Sequence, residues 1–292
     1  MADEKRFEIP LLETGADEDE ASFRLQNAPE GEMQRQQILQ QDASNLSLQV
    51  EIISVIHGTY TPDGPAATVV VTEFRFQGSR THGRRFREAV LDMQFSLRDT
   101  KVGGVKDPEV VNIAPFGSFS RGASTKTIGT TASANVSGTA GPFGELGVGW
   151  ERTSSVEKVA YTTLHGSKRI EGRYHGAQNT ARWRLAENSN DKNGIPSVLR
   201  VAVLVKPKTE ESFQASFGVD VKSDPLHSTI SSLRRFRGKS IVDPMYFAEE
   251  EERYPLNPEF FGKVDLEDLS ALDLQKLEAV GPNVSARLDA PV

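Results

Sequence analysis

The chain carries five histidines, His57, His82, His165, His175 and His227, the side chains best suited to metal ligation or proton transfer at neutral pH. No pair has the i, i+4 or short-loop spacing that a shared metal site requires. With no cysteine, the chain has no thiolate ligand, disulfide or cysteine nucleophile. The segment RGKS at 237–240 ends like a phosphate-binding loop, but Leu233 stands where that loop needs its first glycine. No serine occupies the G-x-S-x-G elbow of a hydrolase. The grouped carboxylates, Glu18, Asp19 and Glu20 and then Glu249–Glu252, fall in acidic terminal segments that offer nothing to hold them at the separation acid–base catalysis demands. These absences predict no catalytic residues, no cofactor and no metal.

Arginine supplies the remaining chemistry. One cluster holds Arg80, Arg84, Arg85 and Arg87, a second Lys168, Arg169 and Arg173, and a third Arg234, Arg235, Arg237 and Lys239. Guanidinium forks suit phosphates or carboxylates, so Arg80, Arg84, Arg85, Arg87, Arg234, Arg235 and Arg237 are candidate anion contacts. Exposed aromatics are not interleaved with them, which disfavours nucleic acid. Residues 1–22 carry a net charge of −6 and 243–292 a net charge of −8, leaving +7 on the part between, so contact of the basic clusters with the chain's own acidic ends is expected.

The residues with the most distinctive spacing lie in IGTTASANVSGTAGPFGELGVGW, residues 128–150. Ile128, Ala132, Ala134, Val136 and Ala140 share one parity. Thr127, Thr131, Ser133, Asn135, Ser137 and Thr139 share the other. Beyond the turn GPFGE, Leu146, Val148 and Trp150 continue the apolar side and Glu145 and Glu151 the polar one. This is the period of a two-faced β-hairpin, and at ~3.3 Å per residue its first arm reaches roughly 40 Å. A membrane-spanning strand needs about 9–11 residues of such alternation, and only a closed ring of hairpins would satisfy its backbone in lipid.

The elements that must position this hairpin are strands. Leu46, Leu48, Val50 and Ile52 alternate in LSLQVEIISVIHGTY; AATVVVTEFRF is dense in β-branched and aromatic residues; Ala89, Leu91, Met93, Phe95 and Leu97 share a parity, as do Phe213, Ala215, Phe217, Val219 and Val221. Turn signals at TPDGP and at Asn193 and Gly194 separate them. The spacing predicts an all-β fold, an antiparallel β-sandwich-like body over 46–222 with one long hairpin over 124–165. Residues 1–45 read as an acidic arm with a weak helix at EGEMQRQQILQQDAS, its apolar stripe being Met33, Ile38 and Leu39. Residues 223–292 read as an acidic, mostly irregular tail with a short helix at DLSALDLQKLEAV, docking through Phe260, Phe261, Leu266, Leu269, Leu272 and Leu277.

The stretches SLQVEIISVIHGTYTPDGPAATVVVTEFRF, RRFREAVLDMQFS, DPEVVNIAP, GVGWER, HGSKRI and VLRVAVLVK, in this order over most of 46–222, resemble a group of uncharacterised β-rich fungal proteins. The resemblance implies one cytosolic β body and brings no active residue, ligand or activity with it. No apolar run is long enough for a spanning helix, and the N-terminus lacks a secretory core, so a cytoplasmic protein is expected. The leading expectation is a non-enzymatic module for protein interaction or self-association through its edges and hairpin. The alternative is a β-barrel pore former that inserts 128–150 into an anionic membrane.

Overall fold

The computed structural model describes residues 36–43, 46–78, 85–98, 104, 106–136, 148–223, 244–247 and 264–276. Among these the fold is all-β: two antiparallel sheets packed face to face, with no α-helix. The strands are β1 (Gln37–Ala43), β2 (Leu46–Thr59), β3 (Ala66–Gln77), β4 (Phe86–Leu97), β5 (Glu109–Ala114), β6 (Gly117–Val136), β7 (Val148–Arg169), β8 (Thr180–Ala186), β9 (Val198–Lys206), β10 (Phe213–Ser223) and β11 (Met245–Phe247). The first sheet runs β1-β2-β3-β9-β5 and the second β11-β10-β4-β8-β7-β6.

Alternation sets the faces. Leu48, Val50 and Ile52 of β2, Ala89, Leu91, Met93 and Phe95 of β4, Ala181, Trp183 and Leu185 of β8, and Phe213, Ala215, Phe217, Val219 and Val221 of β10 meet between the sheets. Each is buried, and full burial of a Leu, Val or Phe side chain is worth about 1.5–3 kcal/mol. A bulge between Ile52 and Ser54 in β2 shifts the parity by one, so Val55 takes the inner face and Ile56 the outer.

The central strands β3 and β9 are buried on both faces, which is why VVV at 69–71 and VAVLV at 201–205 read as continuous apolar runs rather than alternating ones. Their outer residues Ala67, Val69, Val71, Ala202 and Leu204 form a second core with Ile56 and Ala114, closed from outside by Leu269 and Leu274 of residues 264–276. The sandwich therefore has a third, partial layer supplied by this C-terminal strap.

Two expectations are corrected. The segment 37–43, expected within a weak helix, is strand β1: adjacent Ile38 and Leu39 are both buried, and its backbone pairs with 46–51 of β2 rather than with itself. Met33 lies outside the described residues. The helix expected at 268–280 is, over its described part, two 3₁₀ turns, Leu269–Ala271 and Leu274–Lys276, separated by an extended Leu272. Asp268 Oδ1 accepts from Ala271 N and Asp273 Oδ1 from Gln275 N, local bonds that compete with a continuing helix. Docking runs through Leu269 and Leu274 with Leu272 packed beside them; Leu266 is 42% exposed, and Phe260, Phe261 and Leu277 lie outside the described residues.

Candidate assembly ribbon and its root

β6 and β7 pair from Gly117↔Gly166 to Val136↔Val148, with one register shift between Arg121 and Ser124, longer than the 124–165 that alternation suggested. β8 pairs with β7 only over Thr163–Arg169, and β6 ends the sheet order, so beyond Thr162 the two strands run on as a ribbon with no further strand beside them among the described residues. Its outer part, Thr125–Val136 against Val148–Val159, extends about 36 Å at 3.3 Å per residue.

The register keeps the expected parities together. Thr127↔Glu157, Gly129↔Ser155, Thr131↔Thr153, Ser133↔Glu151 and Asn135↔Gly149 pair polar residues and glycines. Ile128↔Val156, Ala134↔Trp150 and Val136↔Val148 pair apolar ones, interrupted by Thr130↔Ser154 and Ala132↔Arg152. Arg152, one position beyond Glu151, falls within the apolar parity. The same parity runs back through Ala160 and Leu164, both buried, to the core side of the second sheet, where Leu164 pairs with Leu185 and Gly166 with Trp183. Ala140 and Leu146 fall outside the described residues.

Where the ribbon leaves the body, polar side chains fasten it. A bulge between Arg121 and Ser124 leaves Gly122, at φ 66°, and Ala123 out of register. Asn188, buried in the turn after β8, donates Nδ2 to Gly122 O at 2.7 Å and Ala160 O at 3.0 Å, one carbonyl on each strand. Asn190 Nδ2 donates to Ser124 O and Lys158 O, both at 2.9 Å. These four bonds reach the last body-held residues before the free ribbon. Outside them Val159 and Tyr161 are exposed, at 48% and 43%.

The ribbon's root is fixed by a third set of contacts. The chain passes from β5 to β6 through a cis Ala114–Pro115 peptide, and Trp183 Nε1 donates to Pro115 O at 3.0 Å. Gly166 allows this approach, since a Cβ there would lie 1.9 Å from Pro115 O. From the strap, Gln275 Nε2 donates to Ile113 O at 2.7 Å and its Oε1 accepts from Phe116 N at 3.2 Å.

The arginine candidates separate. Arg85 and Arg87 converge on Glu187, whose side chain is 6% exposed: Arg85 Nε and Arg87 Nε each lie 2.8 Å from it, and Gly194 N donates to it at 3.0 Å. Burial raises the Glu187 carboxyl, but the two guanidiniums and the Gly194 amide outweigh that and hold it below the usual carboxylate range. Lys168 and Arg173 are likewise turned to backbone carbonyls, of Val111 and of Gly104 and Ala177. The described members Arg85, Arg87, Lys168 and Arg173 thus each meet an acceptor of the β body itself, and the Arg87 side chain remains 42% exposed beside its bond to Glu187. Arg80, Arg84, Arg234, Arg235 and Arg237 lie outside the described residues.

Ser118 Oγ and His165 Nδ1 share a hydrogen bond of 2.8 Å across β6 and β7. The pair is solvent-facing and no described carboxylate orients the imidazole, so it lacks the third member that a nucleophilic dyad uses. Among the described residues no group of three His, Asp or Glu side chains could hold a metal ion.

Neither a protein-family model nor a curated protein matches the chain. Among solved structures it is similar to a "pore forming protein" over 62% of this chain and 78% of that one, at 8% identity and a TM-score of 0.27, a likeness too distant to bear on function.

Proposed function

We propose that the chain is a non-enzymatic, cytosolic self-assembly module whose β6–β7 ribbon joins one copy to the next. One observation carries this reading: beyond Thr162 the ribbon pairs with no third strand, so both of its lateral edges are unpaired among the described residues. Unpaired N–H and C=O groups along about 36 Å are a template for another strand, and a second copy offers the matching edge, β7 against β6. The exposed Val159 and Tyr161 supply apolar area at the ribbon's base. Light scattering after size exclusion, over a range of concentrations and two salt concentrations, tests it. The expected result is a multiple of 32.1 kDa that Thr131→Lys with Ser133→Lys abolishes. A monomer under every condition would overturn the proposal.

A second reading is favoured by the register. Head-to-tail pairing of ribbons that separate polar from apolar positions closes into a barrel able to cross a bilayer, as an oligomeric pore. Arg152, paired with Ala132, limits the crossing part to the positions distal to it, 133–140 and 144–151, just short of the minimum of about 9 residues and with Trp150 near the interface. Dye release from anionic liposomes at micromolar protein separates the two readings. Assembly without release leaves the module and removes the pore.

A further inference from the structure

The strap 264–276 binds the first sheet at two separate places. Its first end is held to the end of β2: Thr59 N donates to Leu266 O and Ser270 N to Tyr60 O, both at 2.8 Å, and Thr59 Oγ1 donates to Glu267 O at 2.6 Å. Its other end is Gln275, whose amide grips Ile113 O and Phe116 N, the residues on either side of the step by which the chain leaves β5 and enters β6. Between them Leu269 and Leu274, fully buried, lie on the outer core of β3 and β9. The strap thus ties the β2 end of one sheet to the root of the ribbon in the other.

The two ends differ in strength. The leucine seat removes apolar area from water, whereas the Gln275 end is exposed and its two bonds exchange readily with solvent. A segment of two 3₁₀ turns has little structure of its own, so its place is set by the leucine seat and by the hydrogen bonds at its two ends. While docked, it holds Ile113 and Phe116 and with them the angle at which β6 leaves the sandwich.

Resting on the ribbon reading above, we propose that residues 264–276 are an intramolecular latch: docked, they restrain the ribbon root in the single copy, and their release permits β6 to pair with a neighbouring copy. Undocking frees the Phe116 amide and the Ile113 carbonyl, so the base of β6 can reorient to meet the next chain.

Three variants of the full chain test this. Gln275→Ala removes the grip on the root and leaves the leucine seat. Gly58→Ala expels the strap at its other end, because a Cβ there would stand 2.2 Å from Leu266 O, in a backbone conformation that alanine otherwise tolerates. Thr59→Cys with Leu266→Cys staples the strap to β2, and the chain has no other cysteine to interfere. Assembly is followed by light scattering with time. Gln275→Ala and Gly58→Ala are expected to assemble at least roughly tenfold faster than the unaltered chain, the scale of two lost hydrogen bonds. The oxidised staple should assemble slower by a similar factor and recover on reduction. Equal rates in all forms overturn the latch and leave the ribbon reading standing. No assembly by any form, the strap-expelled Gly58→Ala included, overturns the ribbon reading and the latch with it.

Discussion

Two carboxylates just beyond strands of the second sheet, Glu187 after β8 and Glu171 after β7, are shifted in opposite senses, and the difference follows from their neighbours. Glu187 has two guanidiniums and an amide, and its carboxyl sits below its ordinary value of 4.5. Its charged form is favoured by folding, so the stability it contributes is present above that value and is lost as pH falls through the folded one. Glu171 is raised, first by burial and then by the charge of Asp92; Arg182, 3.3 Å away, is already engaged by both oxygens of that aspartate. Its ionisation opposes folding, so its contribution is best with the proton on and declines as pH rises past 4.5. Glu187→Gln should therefore cost about 2 kcal/mol at pH 7, through weakened bonds to Arg85 and Arg87, and the loss should shrink towards pH 4. Glu171→Gln should raise the midpoint of urea unfolding at pH 7 and leave it unchanged in acid. A Glu171→Gln variant less stable than the parent at pH 7 would show that its bond to Arg182 outweighs its burial. Nothing in the sequence distinguishes these two glutamates: Glu187 receives Arg85 and Arg87 from far along the chain, whereas Arg182, near Glu171 in sequence, is taken by Asp92.

The ribbon is the element most legible in sequence and its fastening the least. Period-two alternation on both sides of GPFGE gave the hairpin and its two parities, because backbone pairing with a repeat of two makes register visible in the residue types themselves. The bulge at Gly122 and the asparagines that hold it lie outside any period. A single Asn188 in a turn looks like any turn asparagine until Gly122 O and Ala160 O are found against its amide. That position carries a prediction. Asn188→Ala leaves two carbonyls of the ribbon base without that donor, each worth about 1–3 kcal/mol if unsatisfied. Amide exchange of Ser124–Thr127 and of Lys158 should accelerate at least about tenfold, while protection of Leu91 and Phe95 in β4 stays unchanged. Equal loss at both places would make Asn188 a support of the whole sandwich and remove its role as the point where ribbon and body part. β1 was illegible for a related reason: it is short, and Ile38 and Leu39 stand side by side, so its few apolar residues fit a helical stripe as well as a strand until the partner strand is known.

At the scale of the whole molecule, the chain's acidic end is also part of its packing. The sequence marks 243–292 by charge, and charge suggests a detachable tail; yet Met245 and Phe247 are fully buried in the main core, with Phe247 stacked on Phe213 at 5.2 Å between ring centres. Three residues of strand are too few for periodicity to register, and their partner β10 is separated from them by a long stretch of chain. Leu269 and Leu274, in contrast, cover a sheet face that already has its own backbone pairing. The two parts should separate on truncation. A chain ending at 242 loses β11, with Phe247 alone worth about 3–5 kcal/mol and the adjoining edge of β10 left bare, and should fail to give a cooperative thermal transition. A chain ending at 263 keeps the main core, loses two leucines at about 1.5–3 kcal/mol each, and uncovers Ile56, Val69, Val71, Ala202 and Leu204. It should melt cooperatively at a lower temperature, keep its near-ultraviolet circular dichroism, and bind an apolar dye that the full chain does not. If the chain ending at 242 melts as the full chain does, β11 contributes nothing to the sandwich. If the chain ending at 263 binds no dye, the outer face of β3 and β9 is covered by something other than the strap.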